Sequence, residues 1–256
     1  MDEGTFQLCR ASAFGLAVVL AFALQSITPH ARLRGSWPVN GGLWFLNAVV
    51  VGLVCGACAF SVADWAARQQ VGLLNWATTP MWLSLVVTII TLDLISYGWH
   101  RANHRIAVLW RFHQVHHSDP TFTTSTGLRF HPGELLLSLP IRLVAVVVLG
   151  APAVGVLAFE VVFTFANLVE HGDIDLPQRG ERVLGRVFVT PALHRRHHTR
   201  MGPERDTNFG TIFSGWDRLL GTFTASDSSA VVDTGLPGLS QVTLTEALAL
   251  PMHVRQ

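Results

Sequence analysis

The sequence contains no lysine, and arginine alone carries its positive charge. Charged residues make up only 14% of the chain, and half of its residues are apolar, whereas soluble globular domains are about 25% charged. The mean hydropathy of +0.39 agrees with this composition. The net charge of +1 provides no basic surface for nucleic acid. We therefore expect an integral membrane protein without a nucleic-acid partner.

Cysteine is also scarce, and Cys9, Cys55 and Cys58 are the only three. All of them lie in or beside apolar stretches, so the sequence supports neither a disulfide framework nor a thiolate metal site. The zinc-protease motif H-E-x-x-H is absent as well. Histidine, by contrast, occurs twelve times. The chemistry of this chain is therefore expected to depend on histidine.

Long apolar runs predict the membrane helices. Residues 11–28 and about 43–63 are each long enough to cross about 30 Å of hydrocarbon, and a third span starts near Pro80 and continues into a histidine-rich segment. Residues 135–169 are too long for one crossing and short for two. With breaks expected at Pro140 and at the turn 150–152, they predict a helical hairpin. The predicted fold class is an all-α integral membrane protein with about four to five membrane helices, three spans plus the hairpin, under a helical metal-binding cap.

We divide the chain into N-terminal membrane helices (1–99), a first cap segment (100–134), the membrane hairpin (135–169) and a C-terminal cap (170–256). In this topology both cap segments lie on one side of the membrane, together with Arg32 and Arg34, and they are rich in arginine. By the positive-inside rule that side is cytoplasmic. The sequence thus predicts a multi-pass protein with a cap, and any site in it, on the cytoplasmic side.

The histidines are clustered at helical spacings. His100 and His104 are four residues apart, which places both rings on one face of a helix. A triplet at i, i+3 and i+4 follows them, and a second triplet with the same spacing lies further along the chain. The triplets are His113, His116 and His117, and His194, His197 and His198. Rings crowded in this way would repel one another if charged, whereas a bound cation keeps them neutral. The spacing therefore predicts a shared metal site.

Two polar stripes lead to histidines. Asp93 and Tyr97 precede His100 and His104 at i, i+4, i+7 and i+11, on one helical face. Because an aspartate within a membrane helix is costly, it indicates function, and we expect Asp93 to orient a ligand histidine directly or through Tyr97.

The second stripe has the same spacing and consists of Glu160, Thr164, Asn167 and His171. An equally acceptable interpretation is that Glu160 pairs with another buried group such as Arg142. Glu170, beside His171, is a further candidate for a ligand or for a group that hydrogen-bonds to one.

The number of histidines indicates two metal ions. Nine imidazoles, those at positions 100, 104, 113, 116, 117, 171, 194, 197 and 198, exceed the four to six ligands of one ion. A nitrogen-rich pair of ions suits iron, although imidazole also binds zinc, copper and nickel. We expect no catalytic residue beyond the metal ligands. The alternative from another functional class is a membrane metal carrier or sensor, for which flexible histidine-rich loops would be typical; here the triplets are separated and embedded in aromatic sequence.

The sequence resembles the fatty acid hydroxylase and sterol desaturase superfamily of membrane-bound, histidine-box di-iron oxidases. The matching segments, in the order of the family, are DLISYGWHRANH, LWRFHQVHHS, RFHPGE, EHGDIDLP, LHRRHHT and NFGTIFSGWDRLLGT. They cover roughly residues 90–223. Some members have a histidine where this chain has Asn167, so an asparagine that binds weakly or through water is expected there. His131, in RFHPGE, is a candidate tenth ligand or a group that hydrogen-bonds to a ligand.

The resemblance implies a cofactor of two iron ions, for which zinc can substitute, and molecular oxygen as co-substrate. It implies hydroxylation or desaturation of a C–H bond of a lipid, which includes sterols, fatty acyl chains and related lipids. The sequence contains no cytochrome domain, flavin fingerprint or cysteine cluster. We therefore expect electrons to come from a separate electron-transfer protein of the cytochrome or ferredoxin type.

Overall fold

The computed structural model describes residues 1–31, 35–55, 58–77, 79–200, 202–225 and 232–253. Arg32 and Arg34, which are among the arginines that predict the orientation, lie outside the described residues. In these ranges the chain is helical and contains no β-strand. The α-helices are α1 Glu3–Ile27, α2 Trp37–Cys55, α3 Cys58–Arg68, α4 Leu73–Trp76, α5 Met81–Arg105, α6 Ala107–His117, α7 Pro132–Leu149, α8 Ala153–Glu170, α9 Gln178–Leu184, α10 Pro191–His197, α11 Gly215–Leu219 and α12 Leu244–Ala249. Three short 3₁₀ helices cover Thr124–Leu128, Pro203–Asp206 and Leu250–Met252.

Five segments of the described chain are long and apolar enough to cross a membrane: α1, the region Trp37–Trp76, α5, α7 and α8. α8 packs against α1 and α5, and α7 packs against α2 and α3. Large apolar side chains on the outer surface, such as Leu16, Phe45 and Val144, are exposed, as expected where lipid covers them. The predicted fold class, an all-α multi-pass membrane protein, is confirmed.

The hairpin predicted for residues 135–169 is formed by α7 and α8. Gly150 ends α7 with φ +68°, a left-handed conformation that glycine adopts at little cost. The expected break at Pro140 is wrong, because α7 continues through this residue. Proline removes a single N–H from the helix, and membrane helices tolerate it where neighbouring groups compensate.

The helix ends define two sides of the protein. The end of α1 lies at the cap, where the Thr28 carbonyl accepts a hydrogen bond from the Asp175 N–H (2.7 Å). The turn between α7 and α8 lies at the opposite end. There Gly72 approaches Gly150 so closely that a Cβ atom added to Gly72 would lie 2.2 Å from the Gly150 nitrogen. α5 crosses from that side and extends to Arg105. The histidines therefore lie where the membrane helices meet the cap.

Candidate metal centre

The nine histidines that the sequence predicts as ligands lie close together in two groups. Within each group, one ligand atom per residue lies within 4.8 Å of the others. We name the larger set group A and the smaller set group B. Group A consists of His100, His104, His113, His117 and His197, and group B of His116, His171, His194 and His198.

Each triplet contributes to both groups. In the first triplet, His113 and His117 belong to group A and His116 belongs to group B. In the second triplet the assignment is reversed, and only His197 belongs to group A. The triplets meet directly, since the rings of His117 and His198 stack with their centroids 4.3 Å apart. The two groups are thus interleaved, whereas the spacing alone placed each triplet on a single helical side.

Four helix ends position these histidines. His100 and His104 occupy the last turns of α5, and α6 starts after a corner at Ile106. His171 is the residue that ends α8. α10 carries the second triplet, and its first turn is capped by the Thr190 hydroxyl, which accepts a hydrogen bond from the Leu193 N–H. The histidines thus lie at the C-terminal ends of four helices, α5, α6, α8 and α10.

Backbone carbonyls fix the orientation of four rings. In each case the Nδ1–H donates to a carbonyl, so that Nε2 keeps its lone pair and points to the centre of the group. The bonds run from His100 to Phe209 (2.9 Å), from His116 to Arg129 (3.2 Å), from His171 to Asn167 (2.6 Å) and from His197 to Thr207 (2.8 Å).

Carboxylates lie behind two further rings of group A. Glu134, in the first turn of α7, accepts hydrogen bonds from His113 Nδ1 (2.9 Å) and from the Asn103 amide (3.0 Å). Asp206 lies 3.4 Å from His104 Nδ1 and is partly exposed. A carboxylate behind an imidazole raises the basicity of the ring and so strengthens it as a ligand.

The arrangement in group B fits a bound cation. His116 and His171 both use Nδ1–H for a carbonyl, so their Nε2 atoms carry lone pairs, yet these two atoms lie 3.0 Å apart. Two lone pairs at this distance repel each other unless a positive ion lies between them. His171 Nε2 is also 3.0 Å from His194 Nε2. The donor set therefore fits a metal ion.

Nitrogen atoms that are free to bind a cation also occur in group A. The Nε2 atoms of His100, His113 and His197 are buried and lack a hydrogen-bond partner in the described part of the chain. In group B, His198 Nε2 is likewise buried and without a hydrogen-bond partner among the described residues. Buried polar atoms are rarely left without a partner. Metal coordination would satisfy all four.

Burial keeps the rings neutral, the state in which imidazole binds metal. It is the main cause that lowers the pKa of His171 to about 4 and that of His197 to about 3. Burial, followed by neighbouring histidines, also lowers the pKa values of His116, His117 and His198 well below the usual 6.5. The lowered pKa values of these five rings favour their neutral form at neutral pH.

The predicted role of Asp93 needs correction. Its carboxylate contacts the cap loop instead of a histidine: it accepts hydrogen bonds from the Ile212 N–H (3.1 Å), the Phe213 N–H (3.2 Å) and the Trp216 indole (2.8 Å). A buried carboxylate in a membrane helix needs several donors, and the loop supplies three. Asp93 thus fastens the cap to α5.

Tyr97 is linked to a histidine through residues 209–222 of the cap. Its hydroxyl bonds to the Thr222 hydroxyl (2.8 Å), which donates to Asp217 (2.7 Å). Asp217 accepts the Phe209 N–H (2.8 Å), and the Phe209 carbonyl holds His100. The predicted polar face of α5 is real, but it positions the loop that orients His100.

His131 lies outside both groups, and the side chain of Asn167 bonds to the backbone. His131 caps α7, where its Nδ1 accepts the Gly133 N–H (2.9 Å) and its Nε2 lies 3.3 Å from the Leu248 carbonyl. The Asn167 amide donates to the Gly127 carbonyl (2.7 Å). Their roles as ligands or as groups that hydrogen-bond to a ligand stay predictions, and the Asn167 carbonyl orients His171.

Glu170 is buried at the edge of group B. One carboxylate oxygen lies 3.8 Å from His171 Nδ1 and the other 3.8 Å from His194 Nδ1. These separations exceed a hydrogen bond, so the structure places Glu170 beside the ligands and leaves its role a prediction.

Several orienting groups were not found from the sequence. Arg129 is buried and donates to the Val115 carbonyl (2.9 Å) and to Asn40 (2.9 Å), which also contacts Asp119 (2.9 Å). This network holds the carbonyl that accepts from His116. A carboxylate in the first turn of an apolar helix was the available signal for Glu134, whereas the backbone carbonyls have no side-chain signature.

A small cavity of about 80 Å³ adjoins both groups. It is lined by His100 and His113 of group A and by His116, His171 and His194 of group B. Trp99, Phe130 and Phe163 give it apolar walls, and Glu134, Arg142 and Glu170 give it charged ones. The cavity would therefore hold a reacting group beside both sets of histidines.

Residues 85–222, more than half of the chain, match the family model described as fatty acid hydroxylase. Among curated proteins, the chain is 34% identical to an ornithine lipid hydroxylase of Rhizobium tropici over 173 residues, which is 67% of this chain and 51% of the relative. It is 25% identical to the cholesterol 25-hydroxylase of Rattus norvegicus over 73% of this chain and 64% of the relative.

The chain is also 29% identical to the alkylglycerol monooxygenase of Danio rerio, over 62% of this chain and 34% of the relative. It thus spans between about a third and two thirds of the lengths of these relatives. No solved structure gives a significant match.

Proposed function

The chain belongs to the fatty acid hydroxylase family, and from this membership we propose that it is a membrane-bound lipid hydroxylase that uses molecular oxygen and two iron ions. The observation that carries the proposal is the pair of interleaved groups of histidines, in which four buried Nε2 atoms lack a hydrogen-bond partner among the described residues. Three relatives whose names state a hydroxylase or monooxygenase activity support the reaction class.

Group A would hold one ion and group B the other. Two iron ions bound there would supply oxygen activation, and zinc can replace them because it takes the same nitrogen ligands. All nine histidines serve as ligands in this proposal. The burial of both groups favours an enzyme over a metal carrier, because a carrier must expose its ion for release.

The reaction is R–H + O₂ + 2 e⁻ + 2 H⁺ → R–OH + H₂O, with the electrons supplied by a separate cytochrome or ferredoxin type protein. The small cavity presents the C–H bond, and the apolar side chains of Trp99, Phe130 and Phe163 exclude water around it. Because the histidines lie where membrane helices enter the cap, a lipid can reach the cavity from the bilayer. We assign hydroxylation before desaturation because the named relatives are hydroxylases and monooxygenases.

Oxygen-18 labelling of lipids tests this function. Membranes containing the protein are incubated with ¹⁸O₂, a reductant and an electron carrier, and their lipids are compared by mass spectrometry with those of a His116→Ala, His171→Ala variant. We expect one lipid class to gain a single ¹⁸O atom only with the wild type. His253→Ala, which lies outside both groups and is exposed, is the matched control and should retain the product.

Two outcomes would contradict the proposal. One is that no lipid gains oxygen from ¹⁸O₂ although the protein is metal-loaded. The other is that the new oxygen comes from water, which would indicate hydration or hydrolysis.

A further inference from the structure

A second cavity of about 840 Å³ lies between α1, α2, α7 and α8. Its volume falls within the range of about 300–1,000 Å³ that is typical of small-molecule sites. More than half of the lining residues are apolar, among them Phe14, Trp44 and Leu135, and the others are polar or charged. They are Glu3, Gln7, Arg10, Asn47, Arg142, Glu160 and Thr164. Ionisable side chains at membrane depth are costly and usually mark the path of a ligand.

Around Glu160, two arginines of this cavity share one carboxylate. Arg10 pairs with Glu160, with 3.7 Å between Arg10 Nε and Glu160 Oε2. Arg142 lies within electrostatic range of both residues, so two guanidinium groups share one carboxylate. Glu3 is the other acidic residue of the lining, but it is exposed in the first turn of α1, about two helical turns from Arg10.

Arg142 has no hydrogen bond or ion pair with any described residue. Its guanidinium lies over two aromatic rings, 5.9 Å from the centroid of Phe159 and 5.7 Å from that of Phe163. These contacts place the group, and Glu160 attracts it from beyond ion-pair distance, but its N–H donors bond to no anion of the described chain. A guanidinium has a planar fork of donors that fits a carboxylate or a phosphate. The residue is therefore equipped to bind an anion that the chain itself does not provide.

Arg142 also connects the two cavities. It lines the large cavity in the membrane and the small cavity beside the histidines, and Phe163 is shared in the same way. The small cavity, at about 80 Å³, has room for few atoms, since one water needs about 10–15 Å³ of such space. A ligand held by Arg142 would thus have its charged end next to group B and its bulk in the membrane.

We propose that Arg142 binds a carboxylate or phosphate of the lipid substrate, whose hydrocarbon part occupies the large cavity. This inference rests on the proposed function and adds the substrate class, which is a lipid with an anionic group. It also fixes the position of oxidation. Because Arg142 and the histidines line the same small cavity, the oxidised C–H bond lies within a few bonds of the anionic group.

Binding of defined probes tests the inference without turnover. The purified full chain in an uncharged maltoside detergent is titrated with stearic acid, its methyl ester and octadecyl phosphate, each competing with a spin-labelled stearic acid. We expect the acid, the phosphate or both to bind about tenfold or more tightly than the ester, as a charge-assisted bidentate contact implies. Whichever anion is preferred identifies the group.

Three variants separate a charge contact from general packing. Arg142→Gln should remove the preference for the anion and leave binding of the ester unchanged, whereas Arg142→Lys should keep part of it because the charge remains. Arg68→Gln is the matched control, since Arg68 lies on α3 in an exposed pair with Asp64 and should behave as the wild type. If Arg142→Gln does not fold, binding of the acid and of the ester is compared in the wild type and in Arg142→Lys. This comparison still shows whether Arg142 provides the preference for the anion.

Equal binding of acid, phosphate and ester by the wild type would overturn the inference, as would an anion preference that survives in Arg142→Gln. These failures are distinct from failure of the proposed function. A wild type that incorporates ¹⁸O but ignores the anion refutes only the role of Arg142. One that prefers the anion but incorporates no oxygen refutes the hydroxylase.

Discussion

At the scale of single residues, the two nitrogens of each imidazole have different tasks. For His100, His116, His171 and His197, Nδ1–H binds a backbone carbonyl, and this bond leaves Nε2 available for a metal ion. His113 is distinct because its Nδ1 faces the Glu134 carboxylate at 2.9 Å. Glu134 is therefore the orienting group that can be altered without changing a ligand.

We predict that Glu134→Gln weakens metal binding at group A. The amide can still accept one hydrogen bond, but the negative charge behind the ring is lost, and loss of such a partner typically lowers affinity or activity about 10- to 100-fold. Titration of the metal-free protein against a competing chelator measures the change. Asp64→Asn, in an exposed ion pair on α3, is the matched control. Unchanged affinity in Glu134→Gln would show that the carboxylate does not support His113.

At the scale of helices and loops, α5 joins the membrane part to the cap. Its C-terminal turns carry two ligands. About two turns before His100, Asp93 binds the loop 212–216 through three hydrogen bonds. That loop follows Phe209, whose carbonyl orients His100. The stability of the loop on α5 thus determines how well one ligand is placed.

We predict that Asp93→Asn destabilises the fold more than it impairs catalysis. Its amide group would face donors, and each lost bond to a charged acceptor is worth about 1.5–3 kcal/mol. The midpoint of thermal unfolding should fall, while turnover per metal-loaded molecule at low temperature should stay close to that of the wild type. A variant with an unchanged midpoint but little turnover would instead support the direct role in orienting a ligand.

The sequence predicted much of the site because helical spacing determines which side chains share a face. The nine histidines and the hairpin of α7 and α8 followed from such patterns. The orienting carbonyls of Phe209, Thr207 and Arg129 could not be predicted, because a carbonyl has no sequence signature and its position depends on loop packing. Asp93 was misassigned for the same reason, since its donors belong to a loop more than a hundred residues away.

At the scale of the whole molecule, arginines concentrate on the side of the cap. We therefore propose that the cap is cytoplasmic and that the divisions 1–99, 100–134, 135–169 and 170–256 alternate between membrane and cap. The ends of α1, α5 and α8 and the start of α7 lie on this side, where electrons from a cytoplasmic carrier would arrive.

Cysteine labelling tests the orientation. In a variant that lacks the native cysteines, we expect Gln69→Cys, at the exposed end of α3, to react with an impermeant maleimide in intact cells. Ser240→Cys, exposed in the cap, should react only after permeabilisation. The reverse pattern would place the cap outside the cytoplasm.

The central claim is that two metal ions are held by groups A and B, and the metal content of the purified protein tests it most directly. Plasma mass spectrometry on protein quantified by amino-acid analysis should give two ions per chain, as iron or as iron plus zinc. The double variant His100→Ala, His104→Ala should retain one ion, in group B, and His253→Ala should retain two. One ion per chain in the wild type, haem, or loss of both ions in the group A variant would contradict the account.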